Sequence, residues 1–367
     1  MTGVDQPSST RDRAHARPQA ASGAPLDPAA LDLARLDVVG VGNALVDVLA
    51  EVSEAVLADL ELVKGSMELV DLHRAERIYE AIGPAVEVSG GSAANTAAGV
   101  AALGGASGFI GKVADDDMGE VFVHDMRASG VELHAVVAGA EEEDAEVRGT
   151  GRALVLVTPD AERTMATHLG VSATLGPRDV PEALVARAEV LYLEVYLWDR
   201  PSAKEAMRRA VQVAHDHDTT VALSLSDSFC VVRHRRDLLD LVANDVDVLF
   251  GNEQELIRLF DSPSFARALS AAGETGALVA ATCGPKGSVV VGGRGPVEVA
   301  PAEAPVIVDR TGAGDMYASG FLYGLTHGRD PVECARLGSM CAAEVIGHFG
   351  ARPRHDLAAM ALAQGLV

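Results

Sequence analysis

The stretch VDVLFGNEQELIRLF (246–260) changes period at Asn252. An apolar, β-branched run gives way to Glu253–Phe260, whose apolar side chains recur at helical spacing, so the stretch predicts a strand running directly into an amphipathic helix. Further runs of the strand kind are DVVGVG (37–42), SGFIG (107–111), VLYLEVYL (190–197), TVALSLS (220–226), ALVAATCG (277–284) and SVVVGG (288–293). Helical candidates lie between them at Ser92–Leu103, Gly119–Ala128, Ser202–His215 and Ser264–Ala272, with Gly314–Thr326 and Pro331–Phe349 closing the chain. Strands and helices alternating at this spacing predict an α/β domain around a mostly parallel sheet.

Two stretches depart from that alternation, about 46–72 and 131–169, where VRGTGRALVLV (147–157) and ERTMATHLG (162–170) have the pattern of extended, partly exposed strands. They are expected to form a small β-sheet lid over the main domain. Residues 1–35 carry Pro7, Pro18, Pro25 and Pro28 and no sustained apolar period; a disordered tail is expected there, with the folded domain spanning 36–367.

Of 367 residues, 48% are hydrophobic and 23% charged, a globular composition. The 53 acidic side chains outnumber the 30 basic ones, for a net charge of −23 that would repel nucleic acid and anionic lipid. In the tail Arg11, Arg13, Arg17 and Arg35 balance Asp5, Asp12, Asp27 and Asp32, so the excess falls on the folded part. With 4% aromatics and a single Trp198, base-stacking platforms are disfavoured as well. Cys230, Cys283, Cys334 and Cys341 form no CxxC pair, which argues against a disulfide framework or a structural zinc site and for a reducing cytoplasm. No window approaches the roughly 18 apolar residues of a membrane helix, and the first twenty positions lack the apolar centre of a signal peptide. The expected partner is a small molecule, without nucleic acid or membrane. Exposed lid strands leave a monomer and a lid-mediated homodimer both open.

The chemistry concentrates in VIVDRTGAGDMYASGFLYG (306–324). Gly312, Ala313 and Gly314 let backbone amides approach an anion closely, and the helix starting there points unpaired N–H donors and its positive dipole end at the same place. Asp315, in the first turn, lies within reach of whatever the anion is bonded to. This suits phosphoryl transfer, with a carboxylate to take the proton of an attacking hydroxyl; an N-cap aspartate after a glycine turn is the plainer alternative. The segment VEVSGGSAANTAAGVAALGG (86–105) repeats the device, with Gly90 and Gly91 freeing the backbone and Asn95 on the first turn of an Ala-rich helix, suited to a polyol. VVGVGNALVDV (38–48) fails the dinucleotide fingerprint at Leu45, which disfavours a dehydrogenase; it leaves Asn43 and Asp47 as polar groups exposed just past the end of the first strand, where ligands of open α/β sheets bind. Ala106 and Val113 likewise exclude a Walker loop at 105–113.

GGSAAN, the NEQE at 252–255, TCGPKG at 282–287 and above all DRTGAGD at 309–315 follow the order and spacing of the ribokinase-like, or PfkB, carbohydrate and nucleoside kinases, which the chain resembles over about 37–352. GNALVD (42–47) and ERTMATHLG resemble the adenosine kinase branch. The resemblance implies a three-layer ribokinase-like domain with a β-sheet lid, and direct in-line transfer from ATP to the 5′-hydroxyl of a purine nucleoside, most simply adenosine. A sugar kinase for ribose, fructose or a related polyol is the alternative, and a catalytically silent binding protein is disfavoured by the intact GAGD.

By the same resemblance Asp315 is the catalytic base, and Gly312, Ala313 and Gly314 hold the transferring group. Asn43, Asp47, Gly90, Gly91 and Asn95 hold the acceptor's hydroxyls, and Arg163 is a lid arginine approaching substrate or phosphate. Asn252 and Glu255 organise Mg2+ and phosphate through water; Thr282, Gly284 and Gly287 form the turn beside ATP; Asp309 and Thr311 match residues around a monovalent cation such as K+. Tyr196, Met67, Met165 and Leu169 are candidates for an apolar sandwich about the purine. Three positions depart from the pattern: Arg310 replaces a small or β-branched residue, Ala114 a glycine and Ser339 an asparagine.

Overall fold

The computed structural model describes residues 34–139, 147–160, 162–293, 295–304 and 306–367; the expected tail, up to residue 33, lies outside the described residues. Its first strands are β1 (Leu36–Val41), β2 (Leu45–Glu51), β3 (Met67–Leu69), β4 (Val86–Gly90), β5 (Ser107–Val113), β6 (Glu132–Val137), β7 (Gly151–Val157) and β8 (Arg163–His168). They are followed by β9 (Ala188–Glu194), β10 (Thr220–Ser224), β11 (Val248–Asn252), β12 (Leu278–Thr282), β13 (Ser288–Gly292) and β14 (Gly295–Val299).

Nine strands form one sheet in the order β14-β13-β12-β11-β10-β9-β1-β5-β6. It is parallel from β12 to β6, and β13 and β14 add antiparallel at the end. A strand buried on both faces must be apolar at successive positions, and these are. Val39, Leu191, Leu193, Val221, Leu223 and Leu249 pack with helices Pro201–Asp216, Ser228–Asn244, Glu253–Phe260 and Phe265–Glu274. Their neighbours Val38, Val190, Tyr192, Ala222, Val248 and Phe250 face the other way, onto helices Ser92–Ala102 and Ala313–Thr326. The result is the expected three-layer α/β architecture. On the second face, the helix Ala313–Thr326 approaches Pro331–Val345 so closely that a Cβ on Gly320 would lie 2.7 Å from Gly338 Cα.

The second sheet runs β3-β8-β7-β2-β4. The chain first passes from the main sheet into it through Gly42–Ala44, since β2 follows β1 after that turn, and it enters again from β6 to β7. Two boundaries differ from expectation. Glu132–Val137, expected in the lid, pairs in parallel with β5 as the edge strand of the main sheet. Val86–Gly90, expected only as the lead into a helix, pairs antiparallel with β2 inside the lid.

Other differences are local. The strand expected over 190–197 ends at Glu194 and turns into a short 3-10 segment, Val195–Asp199. Val306–Val308 joins no sheet; Val306 and Ile307 are exposed and Val308 N–H donates to Ile346 O. The last long helix stops at Val345 rather than at Phe349, and the seventeen-residue helix Ser228–Asn244 was not among the candidates. Cys334 and Cys341 are buried thiols, as their helical spacing predicts. Among the described residues, no helix is long and apolar enough to cross a membrane.

Candidate active site

Five parallel strands end on one side of the main sheet, and the residues at or just past their ends, Asn43, Glu194, Ser224, Asn252 and Thr282, line a single cavity of about 510 Å³. The small sheet contributes Leu45, Asp47, Met67, Ala153, Arg163 and Met165 to its wall. The floor is the start of the helix Ala313–Thr326, with Gly312, Ala313, Gly314 and Asp315.

Asp315 sits in the first turn of that helix and accepts from Ser92 Oγ at 2.6 Å and from Asn95 Nδ2 at 2.9 Å. The Asn95 amide thus holds the carboxylate through Nδ2, while its Oδ1 is buried without a partner among the described residues. Burial pushes the Asp315 carboxyl above the ordinary range, opposed by these two hydrogen bonds and by the charges of Arg352 and Arg163. Gly312 has φ 75°, and a Cβ there would meet Ala351 Cβ at 2.6 Å, so only glycine makes this turn. Gly314 differs: a Cβ would find no protein atom within 4 Å, since that side of the backbone opens on the cavity.

Asn43 and Asp47 are buried, where exposed groups were expected. The Asn43 N–H and Nδ2 both donate to Glu194 Oε1 at 2.8 Å, Ala93 N–H donates to Glu194 Oε2 at 2.7 Å, and Ser172 Oγ donates to Asn43 Oδ1 at 3.0 Å. Glu194 therefore ties the turn between the sheets to the start of the helix Ser92–Ala102. Burial pushes its carboxyl up to about 7, against those hydrogen bonds. Asp47 is also pushed up to about 7 by burial, with Arg352 opposing and Asp315 and Asp309 adding to the shift. Gly91 lines the cavity with φ 94°, and a Cβ on it would strike Asn43 O at 2.2 Å. Gly90 does not line it; a Cβ there would lie 2.3 Å from the Asp47 carboxyl, so its expected place among the acceptor contacts becomes that of a backing for Asp47.

Met67 and Met165 are register partners across β3 and β8, and with Leu169 and Tyr196 they border the cavity beside Asp47. Tyr196 stands on the 3-10 turn past β9, its hydroxyl donating to Ser226 O at 3.2 Å. Arg163 Nη1 donates to Thr311 Oγ1 at 2.7 Å. Asn252 and Glu255 cap their helix reciprocally: Asn252 N–H and Nδ2 donate to the Glu255 carboxylate at 2.8 and 2.7 Å. Burial, with some repulsion from Asp227, pushes Glu255 up to about 7. Glu255 and Asp227 both line the cavity, and carboxylates there supply the hard oxygen donors that a divalent ion takes, so these residues fit Mg2+.

Thr282, Gly284 and Gly287 border a second cavity of about 440 Å³, walled by Pro285, Pro301, Ile307, Ser339, Ala342 and Ile346. Asp309 lies behind the loop: Oδ1 accepts from Thr311 N–H and Oγ1 at 2.9 and 2.6 Å, and Oδ2 from Gly350 N–H at 3.1 Å. Asp309 thus braces its own loop. Among the described residues no group of three or more His, Cys, Asp or Glu side chains is set to hold a metal.

Sequence reasoning missed Ser92, Glu194, Asp227 and Arg352. Arg352 donates to Ser89 O, Ser89 Oγ, Ala94 O and Met126 Sδ at 2.9–3.1 Å, fastening both flanks of the turn that carries Ser92 and Asn95. Glu194 had a signal: a lone acid inside an otherwise apolar strand run is rarely buried without a task.

A nine-stranded α/β layer, a lid of five strands and a GAGD turn aimed into the cleft between them define a phosphotransferase of ribokinase-like fold. The signature of the pfkB family carbohydrate kinases matches residues 65–356, and the chain belongs to that family, whose members phosphorylate hydroxyl groups of sugars or nucleosides. Its structure is similar to a probable sugar kinase from Rhizobium etli (43% identity, TM-score 0.85, covering 91% of this chain and 100% of that one). It is similar also to the adenosine kinase from Sinorhizobium meliloti (45% identity, TM-score 0.83, covering 90% and 100%). A 5-dehydro-2-deoxygluconokinase from Bacillus velezensis is 29% identical over 78% of this chain and 89% of its own.

Proposed function

We propose that this kinase transfers the γ-phosphoryl group of ATP to the 5′-hydroxyl of a purine nucleoside, adenosine in the first instance. The observation that carries the reading is the apolar wall of Met67, Met165, Leu169 and Tyr196 beside Asn43 and Asp47: a free sugar has no use for it, whereas a nucleoside sets its ribose against the polar pair and its base against the wall. The 45% identity to an adenosine kinase points the same way.

In this reading Asp315 takes the hydroxyl proton as the acceptor oxygen bonds to phosphorus and the bond to the β-phosphate oxygen breaks, leaving ADP. Ser92 and Asn95 hold the carboxylate in place, and burial keeps it basic enough to accept a proton. The amides of Gly312, Ala313 and Gly314 receive the transferring group, in the space that a side chain at 314 would fill. Gly91 and Asp47 position the acceptor, Arg163 covers it from the lid, and Thr282, Gly284 and Gly287 flank the nucleotide. Magnesium, which kinases of this family use with ATP, would be held through water by Asn252 and Glu255 and would neutralise phosphate charge. A reducing cytoplasm is the setting in which the four unpaired cysteines persist.

A sugar kinase is the second reading, supported by the likeness to a 5-dehydro-2-deoxygluconokinase. ADP release from a panel of nucleosides and sugars with ATP and Mg2+ separates the two: saturable use of adenosine at micromolar concentration is expected, and use of free sugars alone overturns the nucleoside reading.

A further inference from the structure

The two cavities meet, and the residues common to both linings are Thr282, Arg310, Ala313, Gly314 and Tyr317. Four of them are neutral. Arg310 is the one charged side chain at the junction, and the group that passes from nucleotide to acceptor is an anion that must cross there.

We propose that Arg310 is a further catalytic residue, whose guanidinium binds the oxygens of the transferring phosphoryl group as it passes from one cavity to the other. The assignment rests on the phosphotransfer reading above and adds a residue to it.

Three observations carry it. First, Arg310 is exposed and its side chain makes no hydrogen bond or ion pair among the described residues. In a chain of net charge −23, most of whose described arginines near the cavity are engaged, as Arg163 is with Thr311 and Arg352 with Ser89 and Ala94, that leaves a fork of donors for a ligand. Secondly, it is two residues before Gly312, so its backbone is fixed by the same turn that presents the amides of Ala313 and Gly314; Ala313 N–H donates to Arg310 O at 3.3 Å, which binds the loop to the helix start. Thirdly, a guanidinium is always charged and matches phosphate oxygens two at a time, so charge spreading over a transferring phosphoryl group is stabilised better by it than by amides alone.

Because the Arg310 side chain has no protein partner to lose, the Arg310→Thr variant should melt with the wild-type protein, while kcat falls about thirtyfold or more, toward the roughly 10³–10⁵ that an arginine at a transferring phosphoryl group contributes. Binding of a non-hydrolysable ATP analogue with Mg2+, read by calorimetry, should weaken about tenfold. Arg310→Lys should recover part of the rate, and millimolar guanidinium ion should restore part of it to Arg310→Ala but not to the wild type. Unchanged kcat and analogue affinity, within about twofold, or a loss that guanidinium and lysine leave untouched, would overturn the assignment. Asp315→Asn is the companion: if it turns over normally the phosphotransfer reading itself fails, and if it is inactive while Arg310→Thr is normal only the role of Arg310 falls.

Discussion

Arg163, on the lid, donates to Thr311 Oγ1 at 2.7 Å, and Thr311 stands directly before the GAGD turn. The lid is therefore latched to the loop that shapes the anion site. A hydrogen bond from a charged donor is worth about 1.5–3 kcal/mol. Arg163→Met should accordingly lower kcat/KM for the acceptor by about 10- to 150-fold, with a smaller change in KM for ATP, in initial-rate measurements at varied acceptor.

Asp315→Asn keeps the shape and much of the hydrogen-bonding of the carboxylate but cannot take a proton. Its kcat should fall by about 10²–10⁴ with acceptor binding retained by calorimetry. With Asp315 as the proposed base, burial raises a carboxyl that must be ionised to act, so the wild-type rate should decline with falling pH beginning above the ordinary aspartate range, and the residual rate of the variant should lack that limb.

Gly312 and Gly314, two residues apart, should respond oppositely. Gly312→Ala must hold φ near 75° and drive its methyl against Ala351, so it should lose about 1–3 kcal/mol in urea unfolding. Gly314→Ala has free space around it and should unfold like the wild type, yet its methyl occupies the anion cavity, and kcat/KM for ATP should drop about tenfold or more.

Glu194 couples folding to pH. Its folded carboxyl, near 7, lies above the 4.5 of an unperturbed glutamate, so between those values the folded chain binds the extra proton. Stability from this group is full below about 4.5 and is lost as pH rises through about 7. Urea midpoints measured from pH 5 to pH 8 should fall less steeply in Glu194→Gln than in the wild type; equal slopes would refute the linkage.

The main sheet was legible because strands buried on both faces cannot hide their apolar runs, and VDVLFGN passing into Glu253–Phe260 gave its helix to the residue. The helix Ser228–Asn244 escaped because its core contacts, Cys230, Val231, Leu238, Leu241 and Val242, are split by the charged RHRRD. The exchange of β4 for β6 has a similar cause: both are half-exposed strands, and only pairing, which sequence does not state, assigns them to a sheet. In the site, the GAGD and GGSAAN turns advertised themselves through glycine, whereas Glu194 and Arg352 act through partners 151 and up to 263 residues away and leave no local pattern.

The passage of the chain through Gly42–Ala44 sorts the site between two bodies. Asp47 and Arg163 ride on the small sheet, and Asp315 with its glycine turn belongs to the large one. In the proposed reading, any rotation that parts the sheets would carry the acceptor's grips away from the base, and only their return would assemble both halves. On that reading, water entering a parted cleft would meet the nucleotide without an aligned base beside it, and the division of labour between the sheets would guard ATP against futile hydrolysis.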